Sequence, residues 1–317
     1  MERLLTAMKA AAEATRLRLL VLCAHGDLTV SDLVQILGQS QPRVSRHLRL
    51  LTEAGLLDRN REGSWVYYRL AQQGPGAALA QTLVDSVPDD DATVRRDLGR
   101  LEQLMKERAQ RAEDYFQRVA ARWDEIRALY VRDDEVEALL RRLVTKEKVS
   151  DLLDIGTGTG RILEIMAPQV ERAVGIDLSA DMLMIARSKL ERARLRNCMV
   201  RKGDMYHLPV APASFDAVTI HQVLHYAERP AQAIEEAARV LRPQGRLFIV
   251  DFKAHALDYL RDQHEHRWLG FDDERIESWL QEAGLELAEY KELKGDPLTI
   301  SIWTARRVQS DVQATAA

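Results

Sequence analysis

The segment DIGTGTG at 154–160 carries Gly156, Gly158 and Gly160, each separated by one residue, with Asp154 two places before the first. Glycine at this spacing lets the backbone turn tightly and approach a ligand closely. The start of a following helix offers free N–H groups to an anionic group. A dinucleotide fingerprint would require glycine at 161, where Arg161 stands. A P-loop would require Gly-Lys-Ser/Thr, which the chain lacks. Two further acids end strand-like runs: Asp177 in RAVGID and Asp204 in CMVRKGD. The first is placed to accept hydrogen bonds from ribose hydroxyls. Together these residues suit capture of a nucleoside-type ligand.

Six of the eight histidines lie between 207 and 266: His207, His221, His225, His255, His264 and His266. Imidazole titrates near neutral pH and can act as base toward a hydroxyl or thiol. His221 and His225 follow the fourth strand-like run, beside the ligand cleft. By helix geometry His264 shares a face with Leu257, Leu260 and Trp268. His266 points about 160° away, so His264 is expected to face inward and His266 outward. His221, His225 and His264 are the candidate catalytic residues; the alternative is that these histidines hydrogen-bond within the core or shape the pocket. No H-E-x-x-H or similar spacing occurs, so no metal site is expected.

A second chemistry sits near the start of the chain. Within 41–54, Val44, Leu48 and Leu51 fall on one helical face. Opposite them lie Pro42, Arg46 and Arg49, with Arg43 and Ser45 on the flanks. Arginines on such a helix can bind phosphates or pair bidentately with guanine in a major groove. The run LLDRNREGSWVYYRL at 56–70 reads as a hairpin turning at 61–64 and adds Arg59, Arg61 and Arg69.

The elements around these residues divide the chain. Residues 1–87 read as short helices followed by the hairpin. Asp27 or Thr29 caps the helix that ends at Gly38, and Ser40 caps the next. Residues 88–144 read as a helical connector with apolar positions at Val94, Leu98, Leu101, Met105, Ala112, Tyr115 and Val119, interrupted by Arg108. From 145 to 306 strand-like runs occur at 149–155, 172–177, 198–204, 215–221, 245–252, 285–293 and 298–306, and helical stretches are expected between the first five. That alternation is the mark of a doubly wound parallel α/β sheet. The last two runs should pair as a hairpin, and residues 307–317 are expected to fray.

The order DLLDIGTGTGRIL, VGIDLSADML, GDMYHLP, FDAVTIHQVLH, RVLRPQGRLFIVDF resembles class I S-adenosylmethionine-dependent methyltransferases over roughly 145–306. The resemblance implies a Rossmann-like fold and S-adenosylmethionine as cofactor, with S-adenosylhomocysteine as product or effector. By it, the Gly156–Gly160 backbone holds the methionine part, Asp177 holds the ribose, and Asp204 with Met205 borders the adenine; Asp154, Thr157, Leu178 and His221 are further cofactor-binding positions. Residues 1–87 resemble the ArsR/SmtB winged helix-turn-helix repressors, on ATRLRLLVLCAHGDLTVSDLVQILGQSQPRVSRHLRLLTEAGLLDRNREGSWVYYRL. This implies a homodimer that binds a double-stranded DNA operator. The arsenic-sensing members carry a cysteine pair where this chain has Thr29 and Ser31, and Cys23 alone cannot build a soft-metal site.

Composition bounds these readings. The 317 residues are 46% hydrophobic and 30% charged, a globular balance, with two cysteines far apart. No apolar run reaches the length of a membrane span or a secretory signal, and a reducing cytoplasm is the expected compartment. The net charge of −4 is uneven: residues 41–70 hold six arginines against three acids. The expectation is a multi-domain chain, a mostly helical winged-helix domain followed by a doubly wound methyltransferase domain. The domain pair reads as a regulator that senses its cofactor and can methylate a small molecule. The rival reading is a working small-molecule methyltransferase whose winged domain is autoregulatory or structural. Base methylation of DNA is disfavoured, because HQVLHY stands where an Asn/Asp-Pro-Pro-Tyr/Phe element would be.

Overall fold

In the computed structural model, which describes residues 1–62, 65–88, 90–127 and 132–308, the chain forms two compact units. One is Met1–Ala112 with Arg187–Arg196; the other is Glu113–Ala186 with the chain from Asn197 onward. The side chains of 111–127 lie outside the description, as do Gly63 and Ser64 of the expected turn and residues 309–317 of the expected tail.

The first unit runs α1 (Glu2–Ala11), α2 (Ala14–Cys23), β1 (Leu28–Thr29), α3 (Val30–Leu37), α4 (Gln41–Glu53), β2 (Leu57–Glu62), β3 (Trp65–Leu70), α5 (Ala77–Asp85) and the front of α6 (Ala92–Arg127). Thr29, not Asp27, caps α3: its hydroxyl accepts the Asp32 N–H at 3.2 Å while Asp32 accepts the Thr29 N–H at 2.6 Å. This capping box satisfies two otherwise orphaned donors. Gly38 ends the helix at φ 63°, a left-handed conformation that favours glycine. Ser40 does precede α4, but its side chain makes no capping bond. Val44, Leu48 and Leu51 are fully buried and join Leu19, Leu20 and Leu33 in one core. β2 and β3 pair antiparallel from Leu57↔Leu70 to Glu62↔Trp65, and β1 adds a short third strand to β3.

Leu101 and Leu104 of α6 are buried in the same core. Buried Asp97 receives Arg18 at 2.5 and 2.9 Å, and Arg100 donates to the Ile36 carbonyl at 2.7 Å. Arg108, which breaks the apolar series in the sequence, pairs with Asp32 at 2.5 Å. The break is therefore an ion pair, and α6 uses both apolar and charged positions to dock.

The second unit continues with α7 (Asp133–Val144), β4 (Asp151–Ile155), α8 (Arg161–Met166), β5 (Arg172–Asp177), α9 (Ala180–Arg192), β6 (Cys198–Lys202), β7 (Phe215–His221), α10 (Pro230–Val240), β8 (Leu241–Phe252), α11 (Tyr259–His264), α12 (Asp273–Glu282), β9 (Leu285–Leu293) and β10 (Ile300–Arg307). The sheet order is β6-β5-β4-β7-β8-β10-β9. The first five strands pair parallel, and β10 is antiparallel to both β8 and β9. The order reverses at β4, between β5 and β7, which opens a crevice at the carboxyl ends of those strands.

One expectation is corrected. No helix lies between β6 and β7; residues 203–214 form turns and an isolated Asp204↔His207 bridge. Pro209 and Pro212 lack the N–H a helix would use, and twelve residues leave little room for one. At the opposite end of the sheet Arg242 bridges Asp151 at 2.7 Å and Asp216 at 2.5 Å, while Arg172 joins Asp151 at 2.6 Å. The ion pairs close one end of the sheet and leave the chemistry to the other.

Candidate functional site

β4 delivers the glycine loop to the crevice. Gly156, Gly158 and Gly160 have φ of 70°, 52° and 78°. A Cβ at Gly156 would sit 2.6 Å from Val223 Cγ2, so the loop there is pressed against the chain that follows β7. At Gly158 nothing lies within 4 Å of a built Cβ, which leaves that residue open to an approaching ligand. The loop is braced from below: Gly156 and Thr157 donate to the Ile176 carbonyl at 2.8 and 3.0 Å.

Asp154 is buried at the base of this loop. Its Oδ1 accepts the Thr219 hydroxyl at 2.7 Å, and the buried Thr157 hydroxyl also lies against this carboxyl and favours its charged form. Burial pushes the Asp154 carboxyl up to about 7.

Asp177 ends β5 and is half-buried. Its Oδ2 accepts the Gly158 N–H and its Oδ1 the Ser179 N–H, both at 2.8 Å. Each carboxylate oxygen keeps a lone pair for a hydroxyl. Leu178 beside it is largely exposed. Asp204 is exposed and accepts the Tyr206 N–H at 3.0 Å, while Met205 packs on the core. Asp154, Gly156, Thr157, Gly158, Gly160, Asp177, Leu178, Asp204 and Met205 thus gather at the carboxyl ends of β4, β5 and β6. These residues fit an adenosyl-type ligand with an amino-acid tail: an open glycine backbone, with acids at or just beyond the strand ends beside it.

The histidines adjoin this crevice. His221 is the last residue of β7; its Nε2 is buried without a partner, and burial lowers its pKa. His225 is buried in the short turn after β7, with Nδ1 2.7 Å from Asp251 Oδ1 at the end of β8. His264 ends α11 and is buried, as expected. His266 contradicts the sequence reading: it is also buried, its ring 4.3 Å from His225 and stacked on Phe252 at 5.7 Å. The helical wheel fails because α11 stops at His264 and Glu265 turns left-handed at φ 60°. Among the described residues, no three His, Cys, Asp or Glu side chains converge as a metal site.

Asp251 and Thr219 were missed in the sequence. Asp251 has a readable signal, since it stands at the carboxyl end of a parallel strand as Asp177 does. Thr219 gave none, because a threonine inside a strand reads as β-propensity.

On the first unit α4 turns Pro42, Arg43, Arg46 and Arg49 outward, with Ser45 half-buried. Arg49 faces Glu53 at 3.8 Å on an exposed surface, a weak pair. Arg59 and Arg61 are exposed on β2, and Trp65 is exposed at the start of β3. Arg69 is buried, so the wing presents two arginines, not three. Cys23 is buried and free.

A three-stranded wing behind a helix-turn-helix defines the first unit as a winged helix-turn-helix. The strand order and glycine loop define the second as a class I methyltransferase fold. Comparison with known proteins agrees. Residues 13–59 match the family model of bacterial regulatory proteins of the arsR family, and residues 153–249 that of the methyltransferase domain. Over 78 residues the chain is 46% identical to the arsenical resistance operon repressor of Escherichia coli K12, covering 24% of this chain and 65% of that one. Over 103 residues it is 32% identical to the uncharacterized methyltransferase YcgJ of Bacillus subtilis 168, covering 32% of this chain and 41% of that one. The chain therefore spans less than two thirds of either relative. Among solved structures, BH2331 of Bacillus halodurans C-125, described as a methyltransferase, superposes with a TM-score of 0.50 at 21% identity, over 55% of this chain and 99% of that one. The chain joins an ArsR-family DNA-binding regulator domain to a methyltransferase domain.

Proposed function

We propose that this chain is a cytoplasmic, homodimeric, operator-binding regulator whose methyltransferase domain binds S-adenosylmethionine or S-adenosylhomocysteine and so tunes DNA affinity. The observation that carries the reading is the loop of three left-handed glycines, open above Gly158 and braced by Asp177 at the end of the next strand. When bound, S-adenosylmethionine supplies an electrophilic methyl group on a sulfonium. Asp154 faces its cationic end, the Gly158 backbone admits it, Asp177 accepts its ribose hydroxyls, and Asp204 with Met205 borders its adenine.

DNA contact falls to α4 and the wing. Pro42, Arg43, Ser45, Arg46 and Arg49 enter the major groove, and Arg61 reaches the adjacent backbone. The dimer is supported by an exposed apolar stripe on α1: Met1, Leu4, Leu5 and Met8 are between 48% and 92% exposed at helical spacing. The cytoplasmic placement is supported by the DNA partner and by two free cysteines. A second reading, turnover on a small-molecule acceptor, is favoured by the buried His225–Asp251 pair. Calorimetry on the full chain tests the ligand assignment: heat of binding with S-adenosylmethionine or S-adenosylhomocysteine is expected, and none with either contradicts it.

A further inference from the structure

The end of the sheet beside the glycine loop carries imidazoles whose roles are fixed by their neighbours. Asp251 is fully buried and accepts three N–H groups: His225 Nδ1 at 2.7 Å, the Phe252 backbone at 2.8 Å and the His225 backbone at 3.2 Å. His225 Nδ1 is therefore the donor, and Nε2 holds the lone pair. That Nε2 is buried without a partner. His255 has the opposite tautomer. Its Nδ1 accepts the Leu257 N–H at 3.2 Å, so its Nε2 bears the proton, and that atom too is buried and unpaired. His266, against His225, has both ring nitrogens unpaired.

His225 thus offers an unbonded lone pair and His255 an unbonded N–H, and His266 adds one of each. Unsatisfied buried groups of this kind in a folded protein call for a ligand, a water or a catalytic role. Val223, two residues before His225, packs against Gly156, so the cluster abuts the loop. Residues 265–271 are clasped to it: the His225 carbonyl accepts the Arg267 and Trp268 backbone N–H groups at 3.0 Å, and the His255 backbone N–H donates to the Leu269 carbonyl at 2.9 Å.

We propose that His225, oriented by Asp251, is the base that deprotonates a hydroxyl-bearing methyl acceptor, whose oxygen is held by the Nε2–H of His255. A hydroxyl donates one hydrogen bond and accepts another, matching His225 Nε2 and the His255 Nε2–H. A neutral amine has a single lone pair, which must attack the methyl carbon, and would leave the His255 N–H unpaired, whereas a hydroxyl oxygen has a second. The assignment rests on S-adenosylmethionine being the ligand at the glycine loop. The acceptor oxygen bonds to the sulfonium methyl carbon as that carbon's bond to sulfur breaks. The sulfur keeps the electron pair and leaves as a neutral thioether. The acceptor's proton passes to His225 Nε2, where Asp251 stabilises the imidazolium. His225 is the catalytic residue and Asp251 a positioning residue.

The test is the ring 15N spectrum of the full chain labelled with 15N-histidine, recorded with S-adenosylhomocysteine at a saturation established beforehand by calorimetry. We expect the Nδ1–H tautomer at His225 and the Nε2–H tautomer at His255. Asp251→Asn should give mixed tautomers at His225 while calorimetric affinity is unchanged. In parallel, labelled methyl transfer is followed on a panel of phenols, primary alcohols and hydroxy acids with matched amines. Methyl ethers are expected, with kcat reduced about 10²- to 10⁴-fold in His225→Gln and Asp251→Asn, and with the pH–rate limb displaced in the latter. A proton on Nε2 of wild-type His225, transfer confined to amines, or no methyl ether at all overturns the assignment. The wild-type tautomers are read without any variant that must fold. Absence of calorimetric binding instead contradicts the ligand reading beneath it, and is seen first.

Discussion

Asp177 Oδ2 accepts the backbone N–H of Gly158 at 2.8 Å, so the acid that ends β5 braces the loop that leaves β4. The same carboxylate holds the Ser179 N–H at the start of α9. Asp177→Ala removes both bonds and, with them, the proposed ribose acceptor. Binding of S-adenosylmethionine is expected to weaken about 10- to 100-fold, with a stability loss of about 1–2 kcal/mol. Calorimetry and denaturant melts measure the two separately, and DNA affinity without ligand should not change.

The glycines of the loop should separate in their costs. Gly156→Ala forces a left-handed φ and a clash with Val223, and should cost about 3 kcal/mol or more. Gly158→Ala meets no atom within 4 Å, so only the backbone term of about 1 kcal/mol remains. It should fold well and still bind the cofactor more weakly, because its methyl enters the open face. Equal losses of stability in the two variants would argue against the packing described.

Arg46→Ala and Arg49→Ala remove exposed side chains and should change stability by less than about 0.5 kcal/mol. Operator binding should fall about 5- to 150-fold for each if it reads a base. If it binds phosphate, the slope of log affinity against log salt should fall by about one. Salt titrations of each variant distinguish the roles.

The pH dependence of stability carries two opposed contributions. Burial and the neighbouring His225, His255 and His264 hold His266 down at about 3, against an ordinary value near 6.5, with Asp251 opposing. Its contribution is present above about pH 6.5 and is lost as pH falls toward 3. Asp154 is raised to about 7, so its contribution is present below about pH 4 and is lost as pH rises through 7. Thermal melts should show His266→Gln losing less stability on acidification than wild type. Asp154→Asn should gain relative to wild type between pH 4 and 8.

Met8→Glu places a charge in the exposed apolar stripe of α1. Sedimentation should find the wild type dimeric and this variant shifted toward monomer, with a loss of operator affinity.

Much of the fold could be read from the chain because its signals are local. β5, β7 and β9 match the strand-like runs residue for residue, since each alternates or concentrates apolar residues between clear breaks. β8 begins at Leu241, four residues before the run read at 245. Pro243 and Gly245 look like a turn but sit where the β7–β8 register shifts between Phe215 and Ala217, and Gln244 is left-handed at φ 65°. α1 gives only a weak periodic signal, because its larger apolar residues face solvent while Ala7 and Ala11 face the core. The acids and glycines of the crevice were legible from spacing alone. The His225–Asp251 contact spans 26 positions, and no pattern within one element reveals it. His266 was misread for the same reason: its burial is set by Phe252 and His225, not by a helix.

The central claim is that occupancy of the glycine-loop site changes operator affinity. It is tested by fluorescence anisotropy of the full chain on a labelled duplex from upstream of its own coding sequence, titrated without ligand and with saturating S-adenosylmethionine or S-adenosylhomocysteine. A coupling of about 1–3 kcal/mol predicts a 5- to 150-fold change in Kd with at least one ligand, lost in Asp177→Ala. An unchanged Kd with both ligands, at concentrations where calorimetry shows the site filled, would contradict it.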